Sequence, residues 1–303
     1  MIIHRIPEGK TFSKQANSNG FVDDDFLGEK PIFLLGDSYA ACLQADICAH
    51  EILEKELHVP VFNFGVGGYG TLHELGVLEE YKRLHPSLVL LYFLPQNDIL
   101  ENGRYLYAEK ALFAQGNEKQ GLRFFAWYRE NIEKVLRNLL SIFPRLKKQL
   151  HAEKTVENYE VYLNVYDSVW EKRWQAECEA VAAVSRLTTS LNATLVIVTV
   201  TGSEQVYPSV WKELQETYPI LQEKEYNLSK PNARMAACAE ELGIFYLDLL
   251  PLFQQNQQIL HYPIDGHWNA EGQRFAAEKI MEFLAEKNIT TFMNSSVPPQ
   301  RNE

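Results

Sequence analysis

The amino-acid sequence predicts an α/β protein with a five-stranded parallel sheet that is covered by helices on both faces. Short apolar runs recur along the chain, and they lack the alternation that marks a strand with one exposed face. Each run is followed by a segment with helical character, a pattern that is typical of parallel α/β folds. The five runs are residues 31–35, 59–64, 87–94, 194–200 and 244–249.

Capping signals define several of the helices between these strands. Thr71 and Glu74 have the spacing of a capping box at a helix start. Gly243 suits the C-terminal end of one helix, and Asn269 is a natural N-cap for the last one. The predicted helices are residues 39–57, 71–84, 124–150, 157–191, 232–242 and 270–287.

The domain organisation follows from where this alternation stops. Residues 1–30 carry few apolar anchors and are expected to form an irregular lead-in. Residues 31–289 are expected to form a single domain, with a helical insertion of roughly ninety residues at about 100–190, which is longer than an ordinary connection. The polar tail 290–303 is expected to be loose. Within the insertion, Phe124–Leu150 is aromatic at its start and rich in Lys and Arg, which suits either an amphipathic helix packed on the domain or a membrane or partner surface.

Composition excludes some function classes. The chain has 303 residues and a formal net charge of −11, which argues against general nucleic-acid binding. The four cysteines (Cys42, Cys48, Cys178, Cys238) are scattered and are interpreted as reduced thiols. No apolar run is long enough to span a bilayer and no apolar signal core precedes the first strand. The expected location is cytoplasmic at face value, or outside the cytoplasm if the chain belongs to a longer exported protein.

The tripeptide Gly36-Asp37-Ser38 joins the first strand to the first helix. In an open parallel sheet, sites form at the carboxyl ends of the strands. A serine at a helix N-terminus lies where backbone N–H groups and the helix dipole favour negative charge, which suits a nucleophile. It equally suits an ordinary N-cap, so this motif alone leaves both interpretations open.

The glycine loop after the second strand also has more than one interpretation. Gly65, Gly67 and Gly70 match the dinucleotide-binding pattern, but no acidic residue stands at the end of the next strand to hold a ribose hydroxyl. The glycines also suit a tight turn, or a loop whose backbone N–H approaches a reacting oxygen.

Asn97 and Asp98 follow the third strand. Either side chain suits a local cap or loop contact. The Asn97 amide also suits a hydrogen-bond donor to an oxyanion beside a nucleophile.

Asp265 and His267 precede the last helix. A histidine two residues from a carboxylate suits a general base held in one tautomer. A metal pair with His261 and a plain surface loop are the alternatives, and the metal interpretation lacks a third ligand at a typical spacing.

Together these motifs resemble the SGNH (GDSL-like) hydrolase family of esterases, lipase-like enzymes and acyltransferases. They occur in the family's order and cover residues 31–104 and 244–285. The chain has Pro95 where the family usually has glycine, and an Asp-x-His spacing that resembles the branch acting on acylated carbohydrates. The motifs are Gly36-Asp37-Ser38, Asn63-x-Gly65-x-x-Gly68, Asn97-Asp98 and Asp265-x-His267-Trp268-Asn269.

The resemblance implies a flavodoxin-like, three-layer α/β/α domain with a catalytic triad. Ser38 would be the serine nucleophile, His267 the base and Asp265 its orienting partner. The oxyanion hole would consist of the Ser38 N–H, the Gly68 N–H and the Asn97 side chain. The chemistry would need no metal and no organic cofactor.

The leading hypothesis is a carboxylic ester hydrolase that acts on short acyl groups of a carbohydrate or other small alcohol, through an acyl-enzyme on Ser38. Transfer of the acyl group to a sugar instead of water would use the same residues. A non-catalytic binding or scaffold protein, with Phe124–Leu150 as its partner surface, belongs to another class. A nucleotide-binding enzyme is a third hypothesis, based on Gly65, Gly67 and Gly70.

Overall fold

The computed structural model describes residues 1–102 and 156–289. Its strands are β1 (Ile2–Arg5), β2 (Thr11–Lys14), β3 (Ile32–Leu35), β4 (Val61–Asn63), β5 (Leu88–Phe93), β6 (Thr194–Thr199) and β7 (Phe245–Asp248). The last five form one sheet in the order β4-β3-β5-β6-β7, and every neighbouring pair is parallel. The predicted α/β fold with a parallel sheet is therefore confirmed.

Helices connect the strands, and a further helical segment covers residues 95–102 after β5. The helices are α1 (Ser38–Ala41), α2 (Ala49–Leu57), α3 (Thr71–Tyr81), α4 (Ser168–Ser190), α5 (Ser203–Val206), α6 (Pro208–Thr217), α7 (Lys230–Leu242), α8 (Leu250–Gln255) and α9 (Ala270–Glu286).

Strands β3 to β6 are buried on both faces, which explains their continuous apolar sequences, whereas the edge strand β7 is partly exposed. Leu34 and Leu90 point to one face and belong to a core with residues of α2 and α9. Phe33 and Leu91 point to the opposite face and belong to a core with residues of α3, α4 and α7. The result is three layers, and the carboxyl ends of the parallel strands lie together at one end of the sheet.

The first helix is shorter than predicted. Residues 39–57 do not form one helix, because α1 ends at Ala41 and Cys42 adopts a left-handed conformation with φ 50°. Helix α2 begins only at Ala49. Ser38 therefore begins a helix of four residues directly after β3.

Helix α3 begins at Thr71 as predicted, but the capping box with Glu74 is wrong. Gly70 is the N-cap, and Thr71 is the first helical residue. The Thr71 hydroxyl instead donates to the Glu177 Oε1 atom over 2.7 Å, inside the protein. A buried carboxylate thus takes the hydroxyl that the capping box would have used.

Two other predicted helix ends are confirmed, and one predicted helix is interrupted. Helix α7 ends at Gly243 with φ 66°, and Asn269 caps α9 by accepting from the Gly272 N–H over 3.0 Å. The helix predicted over 157–191 is interrupted, because residues 156–159 are helical but α4 begins only at Ser168, where Asp167 caps it through two backbone N–H groups.

The first thirty residues are less irregular than predicted. Strands β1 and β2 form an antiparallel hairpin. Ile6 and Phe12 from this hairpin form a small buried cluster with Tyr262. The local sequence has too few apolar positions to predict the hairpin, and the residue that it packs against lies about 250 residues away in the chain.

The interpretation of the cysteines as reduced thiols is wrong for this structure. Cys42 forms a disulfide with Cys48, and Cys178 forms one with Cys238. The second pair joins α4 to α7 across a sequence separation of 60, so only the fold brings its members together.

Among the described residues, no helix has the length and apolar character needed to cross a membrane. The predicted helix Phe124–Leu150 and the tail 290–303 lie outside the described residues.

Candidate active site

Ser38 lies at the edge of the sheet where β3 ends, at the start of α1. Asp37 is the N-cap of α1, and its Oδ1 atom accepts from the Tyr39 N–H over 2.9 Å. The capping role that the sequence left open for Ser38 therefore belongs to Asp37. The Ser38 side chain is half-buried and reaches another partner.

That partner is His267, which completes a hydrogen-bonded chain of three side chains. The Ser38 Oγ atom lies 2.8 Å from His267 Nε2. The His267 Nδ1 atom lies 2.7 Å from Asp265 Oδ1. Gly266, with φ 84°, turns the backbone between the two so that the short Asp-x-His spacing still lets the carboxylate reach the ring.

The local surroundings fix the orientation of the imidazole ring. The Tyr39 ring centroid lies 4.8 Å from that of His267, and the Tyr39 hydroxyl donates to the Gly266 carbonyl over 3.1 Å. Trp268 is fully buried, and its Nε1 donates to Thr201 Oγ1 over 3.1 Å. These contacts anchor the backbone on both sides of His267.

His261 does not share a site with His267. Its Nε2 atom lies 3.0 Å from the Thr201 carbonyl, and its Nδ1 atom lies 3.3 Å from the Tyr207 hydroxyl. Burial lowers the pKa of His261 to about 4, so the ring is neutral and serves as a structural hydrogen-bond donor. Within the described residues, no group of three or more His, Cys, Asp or Glu side chains is arranged to hold a metal ion.

Asp265 is held as a carboxylate. Burial opposes its ionisation, but the hydrogen bond and the charge of His267 outweigh burial and keep the pKa of Asp265 below its ordinary value. An ionised Asp265 accepts from the Nδ1–H of the ring and leaves Nε2 free to accept from Ser38. This is the tautomer that a general base needs.

The glycine loop packs against the turn that carries Ser38. A Cβ atom on Gly65 would lie 2.1 Å from the Ala41 nitrogen, which no side chain allows. Gly68 has φ 77°. Close contact with α1 thus explains Gly65, and close contact with Asp98 and Asn102 explains Gly70, where a Cβ atom would lie 2.9 Å from the Asp98 carbonyl oxygen. Within the described residues, the N–H groups of Ser38 and Gly68 donate to no protein acceptor.

Asn97 lies beside the same turn, but its amide is already engaged. Its Nδ2 donates to the Tyr69 carbonyl over 2.7 Å and to Asp37 Oδ2 over 3.1 Å. Burial raises the pKa of Asp37 to about 6, against the Tyr39 N–H and the charge of His267. Asn97 therefore joins Asp37 to the glycine loop in this conformation, and both of its amide hydrogens have acceptors.

Three buried carboxyl groups, Asp98, Glu74 and Glu177, lie next to this arrangement, and nothing in the sequence indicated Glu177. Asp98 Oδ2 accepts from the Leu94 N–H over 2.8 Å. Burial raises the pKa of Asp98, Glu74 and Glu177, to about 7 for Glu177. Neither carboxyl oxygen of Glu74 has a partner in the described part of the chain.

The chain belongs to the family described as the SGNH hydrolase-like domain of acetyltransferase AlgX, whose sequence model matches residues 143–300. The match includes Asp265 and His267 but not Ser38, Gly68 or Asn97. The SGNH/GDSL-like family and its α/β fold, expected from the motifs, are thus confirmed.

Solved structures of an acylhydrolase and of an esterase are similar to this chain at low sequence identity. A lipase/acylhydrolase from Enterococcus faecalis has a TM-score of 0.48 and 12% identity, over 85% of this chain and 96% of the other. A variant of an acetyl-xylooligosaccharide esterase from Geobacillus stearmophilus has a TM-score of 0.47 and 13% identity, over 91% and 98%. A search of curated protein sequences gives no significant match.

Proposed function

We propose that the protein cleaves carboxylic esters through an acyl-enzyme on Ser38, and that its substrates carry short acyl groups on a carbohydrate or another small alcohol. The observation that carries this proposal is the hydrogen-bonded chain from Ser38 through His267 to Asp265, with distances of 2.8 and 2.7 Å. The order serine, imidazole, carboxylate is the arrangement that activates a serine for acyl transfer.

The first half of the reaction forms the acyl-enzyme. Ser38 Oγ attacks the ester carbonyl carbon while His267 Nε2 takes the hydroxyl proton, and Asp265 stabilises the imidazolium that results. The tetrahedral intermediate then collapses. The bond to the alkoxide breaks, and His267 returns the proton to the leaving alcohol. In the second half, His267 activates a water that releases the acid and restores Ser38.

Negative charge on the carbonyl oxygen needs donors aimed at it. The backbone N–H groups of Ser38 and Gly68 are available, and each such donor contributes roughly 3–4 kcal/mol to transition-state stabilisation. Asn97 supplies a third donor when one of its amide hydrogens leaves the Tyr69 carbonyl or Asp37. The oxyanion hole would therefore be complete only after substrate enters.

Transfer to a hydroxyl acceptor is the second candidate function. It is favoured by the family's description as an acetyltransferase. The same residues would act, and a sugar hydroxyl would replace water in the second half of the reaction. The short acyl group and carbohydrate-like alcohol are common to both candidates.

The test compares wild type with Ser38→Ala on p-nitrophenyl acetate, with and without added oligosaccharide acceptors. We expect hydrolysis by wild type and a loss of at least about 1,000-fold in Ser38→Ala. Acylated oligosaccharide in the products would favour the transferase. Equal rates for the two proteins would contradict catalysis by Ser38 and favour a non-catalytic binding or scaffold protein.

A further inference from the structure

The N-terminal hairpin, residues 2–14, lies against the loop that carries Asp265 and His267. The Phe12 ring centroid lies 6.2 Å from that of Tyr262, and the Lys10 Nζ atom lies 5.2 Å from the same ring centroid. These contacts place the tip of the hairpin beside residues 262–267. Nothing in the local sequence of the hairpin indicates this position.

The hairpin also contacts the loop that follows the Ser38 helix. Lys14 Nζ donates to the Asp46 carbonyl over 3.2 Å. Asp46 lies between α1 and α2. The hairpin thus bridges the segment after the serine and the segment before the histidine.

Glu8, at the tip, makes the most direct contact with the site. Its Oε1 atom accepts from the Ile264 N–H over 2.7 Å and from the Asp265 N–H over 2.9 Å. Hydrogen bonds to an ionised acceptor are stronger than those between neutral groups. A single carboxylate oxygen therefore fixes the backbone of Asp265 itself.

Other groups do not duplicate this role. Tyr262 is buried and closes the turn, because its N–H donates to the His267 carbonyl over 2.9 Å and its carbonyl accepts from the Gly266 N–H over 3.1 Å. Ile264, within this turn, is exposed. Beyond Gly266, the backbone is held through Tyr39 and Trp268. Between Tyr262 and Gly266, the backbone N–H groups of Ile264 and Asp265 are held by Glu8.

We infer that Glu8 is a positioning residue for the Asp265–His267 pair. This inference rests on the proposed function of that pair. Two hydrogen bonds to the backbone hold Asp265 where its side chain reaches His267 Nδ1. Small displacements of an orienting group lower the rate of the chemical step more than they lower substrate binding.

The test uses Glu8→Ala and Glu8→Gln in the whole protein, with Glu56→Ala on the exposed face of α2 as the matched control. Glu8→Ala is expected to lower kcat by about tenfold with little change in KM. In Glu8→Ala, the acidic limb of the pH profile of kcat/KM is expected to move to lower pH, because the displaced Asp265 carboxylate stabilises the imidazolium form of His267 less. Glu8→Gln retains an amide oxygen that accepts both N–H groups and is expected to keep at least about half of the activity.

A second readout does not depend on catalysis. Hydrogen exchange of the Ile264 and Asp265 amides is expected to speed up in Glu8→Ala and to stay near wild type in Glu8→Gln. Wild-type kinetics and exchange in Glu8→Ala, or equal losses in the alanine and glutamine variants, would overturn the inference. If Ser38→Ala is as active as wild type, the proposed function fails instead, whatever the Glu8 variants do.

Discussion

Asn97 and Asp37 are joined by a hydrogen bond of 3.1 Å between Nδ2 and Oδ2, directly beside Ser38. Asp37 thereby links three parts of the site, because its other oxygen caps α1 through the Tyr39 N–H. Asn97 in turn holds the glycine loop through the Tyr69 carbonyl. The position of the Asn97 amide thus depends on the residue that precedes the serine.

Asp37→Asn is expected to lower kcat by about tenfold or more. An asparagine cannot accept from both Tyr39 and Asn97, since one of its two oxygen positions becomes a donor. Asn97→Ala should have a similar effect, and the double variant should be little worse than Asn97→Ala alone. Steady-state kinetics on the four proteins checks this coupling, and additive losses would show that Asp37 acts independently of Asn97.

Asp265→Asn is expected to lower kcat by about 1,000-fold or more with little change in KM. The amide cannot stabilise the imidazolium and favours the wrong tautomer of His267. Asp248→Asn is a suitable control, because Asp248, at the end of β7, is also partly buried but contacts Asn232 and Leu250. A loss in Asp265→Asn no greater than in the control would remove Asp265 from the proposed mechanism.

Gly65→Ala and Gly67→Ala form a matched pair within the glycine loop. The added Cβ meets the Ala41 nitrogen at 2.1 Å in the first case and the Ser38 Cβ at 3.8 Å in the second. The first substitution should destabilise the protein by about 3 kcal/mol or more, and the second by less than about 1 kcal/mol. Thermal unfolding measures both. Equal midpoints, or a midpoint raised by NAD or FAD, would contradict the packing explanation of the glycines.

Glu74→Gln is expected to stabilise the protein increasingly as pH rises. A carboxyl whose folded pKa is raised contributes stability below its unfolded pKa, and that stability is lost as pH rises through the folded pKa. For Glu177 this window runs from 4.5 to about 7, and burial and the neighbouring Asp37 and Glu177 raise the pKa of Glu74 as well. Removing the ionisation of Glu74 should therefore reduce the amount of folding stability that is lost as pH rises.

Chemical denaturation at pH 5 and pH 8 measures this effect. The free energy of unfolding that Glu177 alone loses as pH rises is at most on the order of 3 kcal/mol. Glu56→Gln on the exposed face of α2 should show no such pH-dependent gain. A gain that is the same at both pH values would contradict the linkage to ionisation.

The strand ends explain why much of the site was predictable. Ser38 and Asn97 follow neighbouring strands, and parallel strands bring their carboxyl ends to one edge. His267 contacts Ser38 across 229 residues, yet its position before the last helix and its spacing from Asp265 indicated the pair. These signals are local, because each is a short motif at a strand or helix end.

Other parts were not predictable, because their causes are not local. Glu8 contacts Asp265 across 257 residues, in a hairpin with no motif of its own. The disulfide of Cys178 and Cys238 depends on the packing of α4 on α7. Asp37 was passed over as the cap of α1 because the adjacent serine is an equally good capping residue by type.

The central claim is that Ser38 carries the acyl group. Rapid acid quenching of wild type during turnover of p-nitrophenyl acetate, followed by mass spectrometry of the peptides, measures this directly. We predict one acetyl group on the peptide that contains Ser38, and its absence in Ser38→Ala. Turnover with no acetylated Ser38 peptide, or an adduct that persists in Ser38→Ala, would contradict the account.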